Sequence, residues 1–263
     1  MKILVCVKQV PTGERLKINS QATWVEEEGS SFAINEYDLY ALEEALRIKD
    51  ARGAEVVVVT EGPERCAVDI RKCLGMGADR GLHLKDPALS GAGPFTRARL
   101  FHRVAAEEKP DLILSGMMAD DDNFGATGVL LASHLEWPYA TGVVKMELSD
   151  DGARLTVERE LEAGELEVLE LPLPALVTIQ TGIHEPRYAS LKGIMMAKKK
   201  PIEARDLAAL GLDQSAVGPA SSRIRVHKVY VPPKAARAEM VSGSAAQVAA
   251  KLVQKIRENT GLL

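Results

Sequence analysis

Along the first half of the chain, short β-rich runs alternate with stretches whose apolar residues recur every three or four positions. The runs at 2–8, 55–60, 81–85, 111–115 and 141–146 are rich in Val, Ile and Leu, as expected of strands buried on both faces. Leu39, Leu42 and Leu46 form one helical stripe, with Asn35 as its cap and Gly53 as its stop. A second helix is predicted after Gly62-Pro63, with Ala67, Ile70 and Leu74 on one face and an end near Gly75 or Gly77. A third opens at Pro94, a residue suited to the first helical turn, and buries Ala98, Phe101 and Ala105. A fourth begins near Gly125 and runs to Leu135. This β-α-β-α order predicts a doubly wound, mostly parallel α/β sheet covered by helices, whose ligands sit outside the carboxyl ends of the strands.

After Asp150-Asp151-Gly152 the pattern changes. The runs 154–159, 166–171 and 175–180 read as hairpins added to the sheet. The nucleotide-fold domain is thus expected to occupy residues 1–200. Beyond Pro201 the chain is rich in Ala, Ser, Pro and Gly, so 201–263 reads as an extended arm. It ends in a helix over about 244–259, with Val248, Leu252 and Ile256 in register and Ser244 as cap. An arm with so little core of its own either wraps a partner subunit or folds back on its own domain.

Composition removes several function classes. A net charge of -4 over 263 residues lacks the basic surface of a nucleic-acid binder, and Lys198-Lys199-Lys200 is too short to supply one. The first apolar run is broken by Lys8 and does not read as a secretion signal. No run reaches the roughly 18 apolar residues of a membrane span. A cytosolic or mitochondrial-matrix-like location without direct membrane insertion is expected. Cys6, Cys66 and Cys73 include no Cys-x-x-Cys pair, and His83, His102, His134, His184 and His227 show no metal spacing, so no metal site is expected and any redox role needs an organic cofactor.

The fourth strand leads through a turn, 115–128, straight into a helix. Small residues at a helix start let backbone N–H groups approach a phosphate, and the helix dipole favours its charge. Asp121, Asp122, Asn123, Gly125, Ala126 and Thr127 lie here. The turn is either an anion site or a plain capped turn, since neither a Walker motif nor a Gly-x-Gly-x-x-Gly fingerprint is present. Asp120-Asp121-Asp122 reads as a solvated turn rather than a magnesium site, because three consecutive carboxylates cannot all face one ion. Cys6, Lys8, Asn35 and the Thr60-Glu61-Gly62 strand end share that sheet edge and outline a pocket. Their plain readings are a small buried hydrophobe for Cys6, a cap for Asn35 and a turn former for Gly62. No catalytic constellation is visible.

The stretch 178–202, with His184-Glu185-Pro186-Arg187-Tyr188, then Leu191, then Ile194-Met195-Met196-Ala197-Lys198-Lys199-Lys200-Pro201-Ile202, closely resembles the signature of the electron transfer flavoprotein β subunit. The resemblance extends to Val7-Lys8-Gln9-Val10-Pro11, Ile34-Asn35-Glu36-Tyr37-Asp38, Gly75-Met76-Gly77-Ala78-Asp79-Arg80 and Val157-Glu158-Arg159-Glu160-Leu161-Glu162, and so spans nearly the whole chain.

That resemblance implies a three-layer α/β/α fold of the adenine-nucleotide-hydrolase type and an electron carrier rather than an enzyme. It implies a heterodimer with an α subunit that holds most of the FAD, and an arm that wraps that subunit. The carrier takes electrons from acyl-CoA or other dehydrogenases and delivers them to a quinone reductase. AMP is implied in this chain, held by Cys6, Asn35, Glu61, Asp122 and the Gly125-Ala126-Thr127 turn. Leu191 matches the hydrophobic anchor that docks on a dehydrogenase, with Arg187, Tyr188, Ile194 and Met195 around it; its alternative is a core leucine at a helix start. Glu160 matches a carboxylate that contacts the moving flavin domain.

Departures are His184 in place of a common Asn, Met196 in place of a common Lys, and Thr12 where some relatives carry an aromatic near the flavin, which leaves Tyr37 as the flavin contact. Electron-bifurcating relatives bind a second FAD instead of AMP and oxidise NADH. They carry Asp-Gly-Asp-Thr where this chain reads Asp121-Asp122-Asn123-Phe124. Phe124 would crowd a second diphosphate, which favours AMP, although residues 35–38 look more like the bifurcating group. A stress-type adenine-nucleotide module without electron transfer is a further rival, but it has no use for the 184–201 signature.

Overall fold

Successive Val, Ile and Leu leave a strand no polar face to turn to water, and the runs that carry them form the centre of one nine-stranded sheet. A computed structural model describes residues 1–13, 16–217, 221–233 and 238–260. The chain divides into two compact units, Met1–Lys228 and Val229–Leu263.

In the first unit β1 (Lys2–Cys6) lies between β4 (Glu55–Glu61) and β6 (Leu112–Gly116), parallel to both. Outside β4 come β5 (Arg80–Leu84) and the edge strand β11 (Ile202–Arg205). Outside β6 come β10 (Ala175–Ile179) and β7 (Tyr139–Leu148), followed by antiparallel β8 (Arg154–Glu160) and β9 (Leu166–Pro172). A separate hairpin pairs β2 (Gln9–Thr12) with β3 (Ser31–Ile34). The alternation of Ile3 and Val5 with Leu4 and Cys6 feeds two cores. One packs α1 (Glu36–Arg52) and α2 (Cys66–Met76) on one face of the sheet. The other packs α3 (Pro94–Glu108) and α4 (Thr127–Leu135) on the opposite face. The fold is therefore a three-layer, mostly parallel α/β sandwich, as the patterning predicts.

Two expectations are corrected. The run 175–180 is not a hairpin strand: Ala175–Ile179 is buried at every position and inserts parallel between β6 and β7, because a strand with no polar side is driven to the sheet centre. Only β8 and β9 form the added hairpin. The compact unit also continues past Pro201. Ile202–Arg205 pairs with the free edge of β5, and Leu207, Leu210 and Val217 are buried against the α3 side. The surrounding Ala, Ser, Pro and Gly hide these few anchoring residues from a composition argument.

The second unit contains α6 (Ala245–Thr260). Ser244 and Gln247 exchange hydrogen bonds as a capping box: Ser244 N–H donates to Gln247 Oε1 at 2.9 Å, and Gln247 N–H donates to Ser244 Oγ at 3.4 Å. None of the helix's described residues is buried. Among the described residues no helix is long and apolar enough to cross a membrane.

Candidate functional site

Strand order reverses at β1, with β4 on one side and β6 on the other, and a crevice opens beyond the carboxyl ends at such a switch point. A cleft lies there. It is lined by Cys6, Asn35, Glu61, Asp122, Gly125, Ala126 and Thr127, together with Lys8, Asp38, Arg97, Ser115 and Phe124. Of the sequence-predicted set, Asp121, Asn123 and Tyr37 lie outside the lining.

The floor is built by Asp38. Its carboxylate accepts from the Lys8 backbone N–H at 2.8 Å and the Gly116 N–H at 2.9 Å, tying together the ends of β1 and β6. Burial lifts its pKa from 3.8 to about 7, against the pull of these two bonds. Gly116 is required here, because a β-carbon would stand 2.6 Å from Tyr37 Cβ. Burial also pushes the Cys6 thiol far above its ordinary range, so Cys6 lines the cleft as a small hydrophobe and not as a nucleophile.

Asn35 occupies the cap position of α1 but makes no side-chain cap bond. Its amide instead donates to Met118 O at 2.8 Å and accepts from Asp120 N–H at 3.0 Å, which pins the 117–126 turn over the cleft. Asp121 and Asp122 both take Lys8 Nζ, at 2.5 and 2.8 Å. The Asp121 side chain is 3% exposed, so it is a paired, enclosed carboxylate and not part of a solvated turn. Asp120 points the other way, toward the Glu36 N–H, and no group of three metal-binding side chains occurs among the described residues. Positive φ at Asn123 (51°) and Gly125 (58°) turns the chain into α4. The cap residue, Ala126, offers no side-chain acceptor, so the first-turn N–H groups face the cleft without an intrahelical partner. Gly128 lets the helix start sit against the sheet: a β-carbon there would be 2.7 Å from Thr178 Cγ2 and 2.9 Å from Ser115 Oγ.

Arg97 was not singled out from the sequence. Its Nε donates to Glu61 Oε2 at 2.9 Å, and its guanidinium lies 3.9 Å from Asp122. The signal was present: Pro94, Arg97 and Phe101 all line the cleft, and their three-and-four spacing places them on one face of α3. Both cleft cations are thus engaged by carboxylates, leaving the α4 N-terminus and the buried Ser115 Oγ, which has no partner among the described residues, as donors for an anionic ligand.

A second surface lies at residues 182–200. Ser190 caps α5 (Leu191–Ala197), accepting from Gly193 N–H at 3.0 Å. Leu191 stands at the helix start, 84% exposed, beside Tyr188 at 94% and Met195 at 71%, and does not join the core. Ile194 and Met196 are half exposed. Arg187 turns away from this group and pairs with Glu43 and Asp50 of α1. Glu160 ends β8 and is exposed.

A family model described as "Electron transfer flavoprotein domain" matches residues 23–210. The electron transfer flavoprotein subunit beta of Methylophilus methylotrophus is 40% identical over 264 residues, covering 99% of this chain and 100% of its own length. The Homo sapiens subunit beta is 37% identical, covering 98% of this chain and 97% of its own. The caffeyl-CoA reductase-Etf complex subunit CarD of Acetobacterium woodii is 38% identical, with 98% of each chain covered.

Proposed function

The chain belongs to the electron transfer flavoprotein β-subunit family, and from that premise we propose that it pairs with an α subunit, binds AMP in the β1/β6 cleft and supports an FAD held mainly by that partner. The observation that carries the AMP assignment is the uncapped α4 N-terminus beside the unpartnered Ser115 hydroxyl, a donor set suited to a phosphate. The N–H groups of Gly125, Ala126 and Thr127 receive the phosphate. Cys6, Asn35, Glu61 and Asp122 enclose the nucleoside, and Asp121 and Asn123 shape the turn from behind. Tyr37 and Glu160 face the α subunit's flavin domain, and the residues after Lys228 wrap that subunit.

The FAD, when bound, supplies the redox chemistry. This chain's residues position it and present a docking surface. Leu191, with Tyr188, Ile194 and Met195, is a compact exposed apolar anchor that fits an acyl-CoA dehydrogenase or another flavin dehydrogenase, with a quinone reductase as acceptor. Location in a bacterial cytoplasm or mitochondrial matrix accords with that role.

Denaturing the purified heterodimer and quantifying the released nucleotides tests the reading. One FAD and one AMP per heterodimer are expected. Two FAD and no AMP would replace the AMP assignment with a second flavin in this cleft and an NADH-oxidising bifurcating role. Phe124, which lines the cleft next to the α4 start, speaks against that outcome.

A further inference from the structure

An exposed apolar tip on a loose loop would collapse onto the protein or lose binding energy to ordering. Here the segment behind the tip is held at its start, its middle and its end. At the start, the Arg187 backbone N–H donates to Glu43 Oε2 at 3.0 Å, and its guanidinium forks onto the same carboxylate, Nε to Oε2 at 2.9 Å and Nη2 to Oε1 at 3.0 Å. Arg187 Nη1 adds Asp50 at 2.8 Å. His184 Nδ1 contacts the neighbouring Glu44. Glu43 and Glu44 are 4% and 3% exposed, so Glu43 depends on Arg187 to avoid standing as a buried charge without a cation, and Glu44 depends on the His184 contact to satisfy a buried carboxyl, with Arg47 also near it.

In the middle, α5 lies backbone against backbone on α2. A β-carbon on Gly193 would fall well inside contact distance of the Gly75 carbonyl oxygen, and one on Gly75 would be 3.3 Å from Ala189 Cβ. At the end, Lys200 Nζ donates at 3.1 Å to Leu74 O, one of the last α2 carbonyls that lack an intrahelical partner, and to Ala78 O just beyond that helix. Arg71 Nη1 donates back to Lys200 O at 2.8 Å.

We propose that Glu43, Glu44, Gly75 and Gly193 are positioning residues that hold the 184–200 segment in its partner-ready shape, so that Tyr188, Leu191 and Met195 meet a dehydrogenase without a folding step. The inference rests on the docking reading above. It assigns Arg187 to the support of the surface and not to contact with the partner.

The test uses the whole heterodimer reduced by an acyl-CoA dehydrogenase, with variants Glu43→Gln, Gly193→Ala and, as a control at the tip, Leu191→Ala. Glu43→Gln and Gly193→Ala are expected to raise KM for the dehydrogenase about tenfold while kcat changes less than about twofold, the pattern of lost binding rather than lost chemistry. They should also speed amide exchange over residues 187–197 and leave FAD and nucleotide content intact. If Leu191→Ala raises KM but neither support variant does, the positioning role is wrong and the docking surface stands. If Leu191→Ala leaves KM unchanged, the docking reading falls and this proposal with it. Should Glu43→Gln fail to assemble, Arg187→Lys keeps the charge, removes the fork and carries the same comparison.

Discussion

Asn35 accepts the backbone N–H of Asp120 at 3.0 Å across 85 residues of sequence, and through its other amide atom holds Met118 O as well. One buried side chain at the start of α1 thereby fixes the turn that roofs the cleft. Asn35→Ala should lower nucleotide retained per heterodimer and cost about 1–3 kcal/mol, the net worth of its two hydrogen bonds to the turn. Nucleotide release by chromatography and chemical denaturation check both effects. Unchanged nucleotide content would detach Asn35 from the site.

Gly128→Ala places a methyl against Thr178 and Ser115. The start of α4 must shift, at about 1–3 kcal/mol for overpacking, and its N–H groups move with it. On the proposed AMP reading, the expected result is a complex that assembles with flavin but without the nucleotide of the cleft, read from the ratio of the two released nucleotides.

Asp38 and Glu108 give pH dependences of opposite sign. Burial raises Asp38 to about 7, so the folded state binds that proton more tightly than the unfolded chain. Its contribution is therefore greatest in acid and falls as pH rises from about 4 to about 7, by up to about 1.4 kcal/mol per pH unit, then levels. Comparing wild type with Asp38→Asn in denaturant titrations from acid to neutral pH isolates this slope.

Glu108 is held below its usual range first by Arg80, whose Nη1 donates to its carboxylate at 2.9 Å, and then by Lys2, whose Nζ donates to it at 3.3 Å. Its stabilisation is present above the ordinary glutamate pKa and is lost as pH falls through the depressed value. Glu108→Gln should cost about 1–3 kcal/mol at neutral pH and flatten the acid limb of the stability curve.

Tyr188→Ala and Leu191→Ala remove side chains that are 94% and 84% exposed. The melting temperature of the heterodimer should be almost unaffected, within about 0.5 kcal/mol of stability, while electron transfer from a dehydrogenase weakens through KM. A large loss of stability would mean that these residues are covered within the heterodimer.

The uninterrupted Val, Ile and Leu runs determined by themselves that this chain forms a parallel sheet with helices on both faces, since only that arrangement removes both sides of each strand from water. Pro94 and Gly53 likewise marked helix ends through local backbone constraints, and the long 178–202 segment carried the family. Tertiary structure alone decided what each polar residue near the cleft does. Asn35 reads locally as a cap, yet its amide finds Met118 and Asp120; Asp121 reads as solvated, yet it is enclosed with Lys8. Arg97 and Glu43 belong to no motif, and Asp38 and Arg187, although inside family segments, give no sign there of the bonds they make, because the partners of all four lie 25 to 144 residues away along the chain. Hydrophobic periodicity is a property of neighbours in sequence. A hydrogen bond or ion pair is a property of neighbours in space, and only the folded backbone brings these together.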